Sequence, residues 1–170
     1  MTRGFRSRSL HGGHEPEGNG PYAPPIHQTT SYRFESADDA AARYALEQDG
    51  DIYSRLSNPT VRVLEERLAS LSSGVGAVAT NAGMAAIDVL TTVLARAGKN
   101  IVTAGDLYGG TTAYFAHTAS RRGIEIRTVD TLDYDAYADA IDEDTAYVHV
   151  ETVANPSLVT PDFERLAAIA

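Results

Sequence analysis

Cysteine and tryptophan are absent from these 170 residues, methionine occurs twice, and Lys99 is the only lysine among 14 basic residues. Without cysteine the chain forms neither disulfides nor thiolate metal sites. No apolar run approaches the roughly 20 residues of a membrane-spanning helix. The start, Met1 to Leu10, carries Arg3, Arg6 and Arg8 with no apolar stretch behind them, so it does not read as a secretory signal. A cytoplasmic protein without a membrane partner is the expectation. The scarcity of lysine has the sharpest consequence, because chemistry that needs a lysine amine as nucleophile has a single candidate here. That candidate lies between a helix-ending Gly98 and a strand, where it reads as a partner for a helix C-terminus.

Positive charge is also in deficit: 23 acidic residues face 14 basic ones, for a formal net charge of -9 and a pI near 4.9. Such a chain repels polyphosphate at long range, which argues against nucleic acid as a partner. An acidic surface served almost entirely by arginine also suits concentrated salt, where screening removes self-repulsion. A halophilic setting is therefore expected, with a melting temperature that rises from low salt to molar KCl. The length suits one domain with a real core.

The first fifty residues are punctuated by Gly12-Gly13, Gly18, Gly20, Pro21 and Pro24-Pro25, which forbid long regular structure. Tyr22, Ile26, Tyr32 and Phe34 make this arm too apolar to be a purely solvated tail. One short helix is predicted from about Asp38 to Gln48. From Asn58 the pattern becomes regular. Asn58 is a good N-cap with Pro59 at the first helical position, and Leu64, Leu68 and Leu71 recur at helical spacing until Gly74. A strand is predicted at Val75 to Thr80, then a helix with Ile87, Leu90 and Leu94 on its apolar stripe, closed by Gly98. Strand Ile101 to Ala104, helix Thr111 to Arg122, strand Ile124 to Val129, helix Tyr134 to Ile141, strand Ala146 to Val150 and a helix within Pro161 to Ala170 complete the series. Alternation of this kind implies an α/β fold, a mostly parallel sheet with helices on both faces. Ligands on such sheets bind beyond the carboxyl ends of the strands.

Three loops there carry unusual residues. Asn81-Ala82-Gly83-Met84 opens a helix, whose free N–H groups and dipole favour an anion, although many strand-to-helix turns hold a glycine for packing alone. Asp106-Leu107-Tyr108-Gly109-Gly110-Thr111 allows an aromatic face to lie flat on a planar ligand, and equally describes a glycine-rich turn with Tyr108 packed on its neighbour. Glu151 and Asn155-Pro156 follow the last strand, where a carboxylate and an amide can bond a ring substituent, or simply start a turn. His11 and His14 flank two glycines without a second ligand pair, so no metal is assigned to them.

Together and in this order, these segments resemble one family. Tyr53-Ser-Arg55 with Asn58-Pro-Thr60, Gly83-Met84-Ala-Ala86, Leu107-Tyr108-Gly-Gly-Thr111 and Glu151 with Asn155-Pro156 are similar to the N-terminal part of the Cys/Met-metabolism pyridoxal-phosphate enzymes. Pro25-Ile-His-Gln-Thr-Thr30 fits as well, and the likeness runs from Leu10 to the end. The resemblance implies the N-terminal half of an aspartate-aminotransferase-type (fold type I) large domain at 58–170, incomplete, preceded by an arm with a short helix at 1–57. It implies pyridoxal 5'-phosphate as cofactor and an amino acid as small-molecule substrate. Gly83 and Met84 would bond the cofactor phosphate, with Tyr53 and Arg55 reaching it from a neighbouring subunit of a homo-oligomer. Tyr108 would stack on the ring and assist proton transfer as the catalytic group, Asn155 would bond the ring hydroxyl, and Glu151 would support them.

Ala82 stands where the family usually has a hydroxyl. The Schiff-base lysine has no match, so the chain is expected to be truncated and inactive alone, or complemented by a separate C-terminal chain, or a non-catalytic assembly module. Ala154 to Asp162, with Phe163 after it, leans toward γ-replacement on O-acetylhomoserine, as in sulfhydrylases and cystathionine γ-synthases, with cystathionine or methionine γ-lyase chemistry as the alternative.

Overall fold

The computed structural model describes residues 4–16 and 18–170. These fall into two compact units, Met1–Ala79 and Thr80–Ala170. No described helix is long and apolar enough to cross a membrane.

The first unit contains helices α1 (Phe5–His11), α2 (Ala37–Tyr44) and α3 (Pro59–Ser72). Helix α1 has no counterpart in the sequence reading, which gave the arm one helix only. It forms because Phe5 to His11 contains no breaker, and it is docked on α3. Arg8 donates to the Ser70 carbonyl and Arg67 Nε to the Gly12 carbonyl at 2.9 Å. Gly13, at φ 75°, lies so close to α3 that a Cβ there would collide with the Val63 carbonyl oxygen. Helix α2 ends before the predicted Gln48 because Leu46 turns left-handed at φ 59°, and Gln48 folds back to bond Asp39 at 3.0 Å. Asn58 caps α3 as predicted, its Oδ1 accepting from Thr60 N–H at 2.9 Å, with Pro59 in the first turn.

The predicted strand Val75 to Thr80 does not form. This segment has no ladder partner, Val75 and Val78 are exposed, and the Ala79 N–H bonds the Glu65 carboxylate instead. A strand exists only where another strand receives its N–H and C=O groups, and one glycine with two alanines gives this one little apolar area to bury.

The second unit holds the sheet. Strands β1 (Asn100–Ala104), β2 (Glu125–Val129) and β3 (Thr145–His149) are all parallel, in the order β2-β1-β3. Central β1 is buried along its whole length, as a strand covered on both faces must be. Helix α4 (Gly83–Leu94) precedes β1. Helix α5 (Gly109–Ala113), continued by a π turn (Tyr114–Ala119) and a 3-10 turn (Ser120–Arg122), joins β1 to β2. Helix α6 (Tyr134–Ala140) joins β2 to β3, and α7 (Phe163–Ile169) follows. The β1-to-β2 and β2-to-β3 connections run in opposite directions across the sheet, so the right-handed rule for such crossovers puts their helices on opposite faces. The contacts of α4 with α5, and of α6 with α7, agree.

Two details differ from expectation. The helix predicted over Thr111 to Arg122 widens into the π turn, which sends both Phe115 and Ala119 into the core while Ser120 Oγ bonds the Phe115 carbonyl at 2.9 Å. Helix α4 buries Thr91, with Ile87 and Ala95 beside the core, whereas Leu90 and Leu94 of the expected stripe stay exposed. The Thr91 hydroxyl explains this face, being bonded to Tyr147 Oη at 2.7 Å and to the Ile87 carbonyl at 2.8 Å. Ile101, Val102, Phe115, Ala119, Ile124, Tyr137 and Leu166 form the centre of the core.

Candidate coenzyme-binding site

The strand order fixes where a ligand crevice can lie. From β1 the chain leaves toward β2 on one side, while β3 lies on the other, so the general rule for parallel sheets puts a ligand crevice between the loops after β1 and β3. Those loops contain Tyr108 on one side and Glu151 and Asn155 on the other.

The loop after β1 is anchored to the end of β2. Thr131 Oγ1 donates to Asp106 Oδ2 at 2.8 Å and accepts from the Asp106 N–H at 3.0 Å. Tyr108 then ends the loop as the N-cap residue of α5, its carbonyl accepting from Thr111 N–H at 2.9 Å and Thr112 N–H at 3.1 Å. A Cβ on Gly110 would collide with Cε1 of the Tyr108 ring, so only glycine lets the ring fold back on the helix start. The ring is nonetheless 50% exposed, which leaves aromatic surface for a planar ligand. Tyr108 thus packs on its neighbour and still presents part of its ring to solvent.

On the other side, Asn155 is exposed, and its N–H donates to Glu151 Oε2 at 3.2 Å. Glu151 Oε1 accepts from the Tyr108 N–H at 2.8 Å. Beneath the crevice, His149 ends β3 with its ring edge-on to Phe115 at 5.1 Å and Tyr147 at 6.4 Å. Burial pushes its imidazole below the usual range, partly opposed by the Glu151 charge, and its Nε2 has no hydrogen-bond partner.

The start of α4 lacks a side-chain cap, as do the starts of the shorter helices α1 and α5. Helices α2, α3, α6 and α7 are capped by the side chains of Ser36, Asn58, Asp133 and Asp162, whereas Ala82 offers α4 no side-chain acceptor and no acidic residue occupies the first turn. Its first N–H groups are therefore free to meet an anion. A Cβ added at Gly83 would touch nothing within 4 Å, so the approach is open. Met84 links this turn to the Tyr108 loop, its Sδ receiving the buried Thr111 hydroxyl at 3.9 Å. The uncapped start of α4 and the exposed Tyr108 ring are thereby joined through Met84 and Thr111.

Of the residues singled out in the sequence, Tyr108, Glu151 and Asn155 come together in the crevice, with Gly83 and Met84 attached through Thr111. Tyr53 and Arg55 belong to the first unit, where the Arg55 guanidinium lies 5.1 Å from the Tyr53 ring centre. The backbone of Tyr53 forms an antiparallel bridge with Ser31. Thr131 was missed as a loop anchor, since a threonine whose partner is 25 residues away leaves no local mark. Lys99 lies at the opposite end of the sheet. It precedes β1, its Nζ paired with Asp144 at 2.8 Å and bonded to the Glu143 carbonyl at 3.3 Å. A five-residue strand is roughly 13–17 Å long, which separates this amine from the crevice. His11 packs edge-on to Tyr22 at 5.8 Å and His14 Nε2 lies 3.2 Å from the Pro21 carbonyl; no group of three potential metal ligands occurs among the described residues.

The sequence model of the family described as Cys/Met metabolism PLP-dependent enzyme matches residues 6–170. The homocysteine synthase of Schizosaccharomyces pombe is 43% identical over 167 residues, covering 98% of this chain and 39% of that protein. The L-methionine gamma-lyase of Fusobacterium nucleatum is 41% identical over 167 residues, covering 98% and 42% respectively. Among solved structures, a Campylobacter jejuni protein described as an O-acetylhomoserine (thiol)-lyase, with N'-pyridoxyl-lysine-5'-monophosphate, superposes with a TM-score of 0.91 at 37% identity, covering 99% of this chain and 42% of that one. The chain thus spans about two-fifths of the length of the proteins it matches.

Proposed function

Because the chain belongs to the Cys/Met metabolism PLP-dependent enzymes, we propose that it supplies the phosphate-binding and ring-binding part of an enzyme that carries out γ-replacement on O-acetylhomoserine. The observation that carries this reading is the uncapped start of α4, joined through Met84 and Thr111 to the exposed Tyr108 ring beside a strand-order crevice. When bound, pyridoxal phosphate supplies an electron-withdrawing ring that stabilises negative charge on the substrate carbon.

In this reading the backbone N–H groups of Gly83 and Met84 hold the phosphate at the positive end of α4. Tyr53 and Arg55 add a phenol and a guanidinium fork to the same phosphate from a second subunit, which makes residues 1–57 an arm and 58–170 part of the coenzyme domain. Tyr108 keeps the ring flat and moves a proton at its phenol oxygen, and the Asn155 amide bonds the ring hydroxyl. Glu151 supports these groups. The cellular setting is cytoplasmic.

The coenzyme's amine partner is not Lys99, whose ammonium is paired with Asp144 at the far end of the sheet. It comes from polypeptide outside these 170 residues, in the same protein or in a complementing chain. The 170-residue chain alone therefore binds pyridoxal phosphate reversibly, and purified protein given O-acetylhomoserine and the coenzyme releases no acetate. Sustained acetate release would overturn the assignment of the amine. Failure to bind the coenzyme would overturn the assignment of the cradle. The γ-lyase alternative draws on the methionine γ-lyase relative, and is distinguished in the completed enzyme by release of an α-keto acid without added thiol.

A further inference from the structure

The two loops that border the crevice make their own backbone hydrogen bonds internally. Thr111 and Thr112 N–H turn back to the Tyr108 carbonyl on one side, and Ala154 and Leu158 close a small loop with Val159 on the other. Glu151 crosses between them. Its Oε1 accepts from Tyr108 N–H at 2.8 Å and its Oε2 from Asn155 N–H at 3.2 Å. An ionised carboxylate is an acceptor at both oxygens, so it alone among side chains of this length satisfies two converging N–H donors. Glutamine would present an NH2 donor to one of them. The adjacent strands carrying these loops are locked in register, Thr103 opposite His149, so the carboxylate does not set the sheet; it sets the separation of the loops.

We infer that Glu151 is a positioning residue that ties Tyr108 to Asn155 and fixes the width of the crevice. Its value to coenzyme binding rests on the function proposed above, but the tie is a property of the ligand-free chain. With both oxygens committed to backbone, Glu151 acts on a bound ring through its neighbours.

Amide hydrogen exchange of the full 170-residue chain without ligand tests the tie. In Glu151→Ala the amides of Tyr108 and Asn155 exchange roughly tenfold or more faster, while Val102 and Thr103 in β1 keep their protection. In Glu151→Gln, which preserves shape, one of the two amides is released and the other stays protected. Unchanged exchange at Tyr108 and Asn155 in Glu151→Ala would overturn the inference, and so would faster exchange of the β1 amides in both variants, since the carboxylate would then be supporting the sheet.

Binding provides a second readout that general support would not split. Affinity for pyridoxal phosphate falls roughly tenfold in Glu151→Ala, whereas affinity for inorganic phosphate, held at α4, is unchanged. Equal losses for both, or no loss for either, would contradict a positioning role. If the unaltered chain binds no pyridoxal phosphate while the exchange results hold, the proposed function fails and the tie stands.

Discussion

The two units are held together by different forces. In the second, the apolar side chains of β1 and of α5 with its π turn meet α6 and α7 in one buried cluster. In the first, Ile52 and Asn58 are the buried residues among those described, and the α3 leucines Leu64 and Leu68 remain about half exposed. What organises it instead is a set of polar side chains reaching distant backbone: Asn58 Nδ2 to the His27 carbonyl at 2.9 Å, Thr60 Oγ1 to the Pro25 carbonyl at 2.9 Å, Arg67 to Gly12 and Arg8 to Ser70. Non-directional burial suits a sheet that must be rigid beneath a crevice. Directional bonds suit a glycine- and proline-rich arm whose shape depends on a few fixed points.

The largest effect that would sharpen this contrast is cavity formation. Ile101 is fully buried, so Ile101→Ala should cost about 2–5 kcal/mol of stability in urea unfolding. Leu56→Ala in the exposed part of the first unit should cost less than about 0.5 kcal/mol. Comparable losses would erase the distinction. Next comes Asn58→Ala, which removes the α3 cap and the bonds to the His27 carbonyl and Ser54 Oγ together. A loss of about 1–2 kcal/mol is expected, seen as faster amide exchange in residues 4–79 with no change in β1. If β1 loosens equally, the units are not independent in stability.

A smaller effect, of opposite sign, is expected in the core. The Tyr137 hydroxyl is buried without a partner, and burial pushes the phenol up to about 12. Tyr137→Phe should leave the melting temperature unchanged or raise it, by up to about 1 kcal/mol in stability. A clear loss would mean that the hydroxyl is satisfied by ordered water.

The smallest effect concerns pH at the amino ends of the strands. Arg127, Asn100 and the Asp144 N–H hold the Asp142 carboxyl down to about 2 from the ordinary 3.8. A lowered folded-state value means that stability is fully present above about pH 4 and is lost as pH falls toward 2. Asp142→Asn should flatten that part of the acid denaturation curve; an unchanged slope would show that the exposed cluster is screened.

The α/β alternation was legible in the sequence because buried strands such as Ile101 to Ala104 and helices of 3.6 periodicity leave local patterns. Val75 to Thr80 has a strand-like composition and fails as a strand, since pairing is a property of two segments and composition of one. The buried face of α4 escaped for a similar reason: Thr91 is drawn inward by Tyr147, 56 residues away. At the site, the order of motifs singled out Tyr108, Glu151 and Asn155, which the structure brings together. That Glu151 spans 43 residues to reach the Tyr108 N–H is visible only in three dimensions, because it depends on β1 and β3 being neighbours.

The most direct measurement is borohydride reduction of the 170-residue chain equilibrated with pyridoxal phosphate, followed by peptide mass spectrometry. A cradle separated from its amine gives binding that inorganic phosphate competes and dialysis reverses, with no stoichiometric pyridoxyl label on any peptide. A stoichiometric label on Lys99, surviving dialysis and accompanied by acetate release from O-acetylhomoserine, would contradict it.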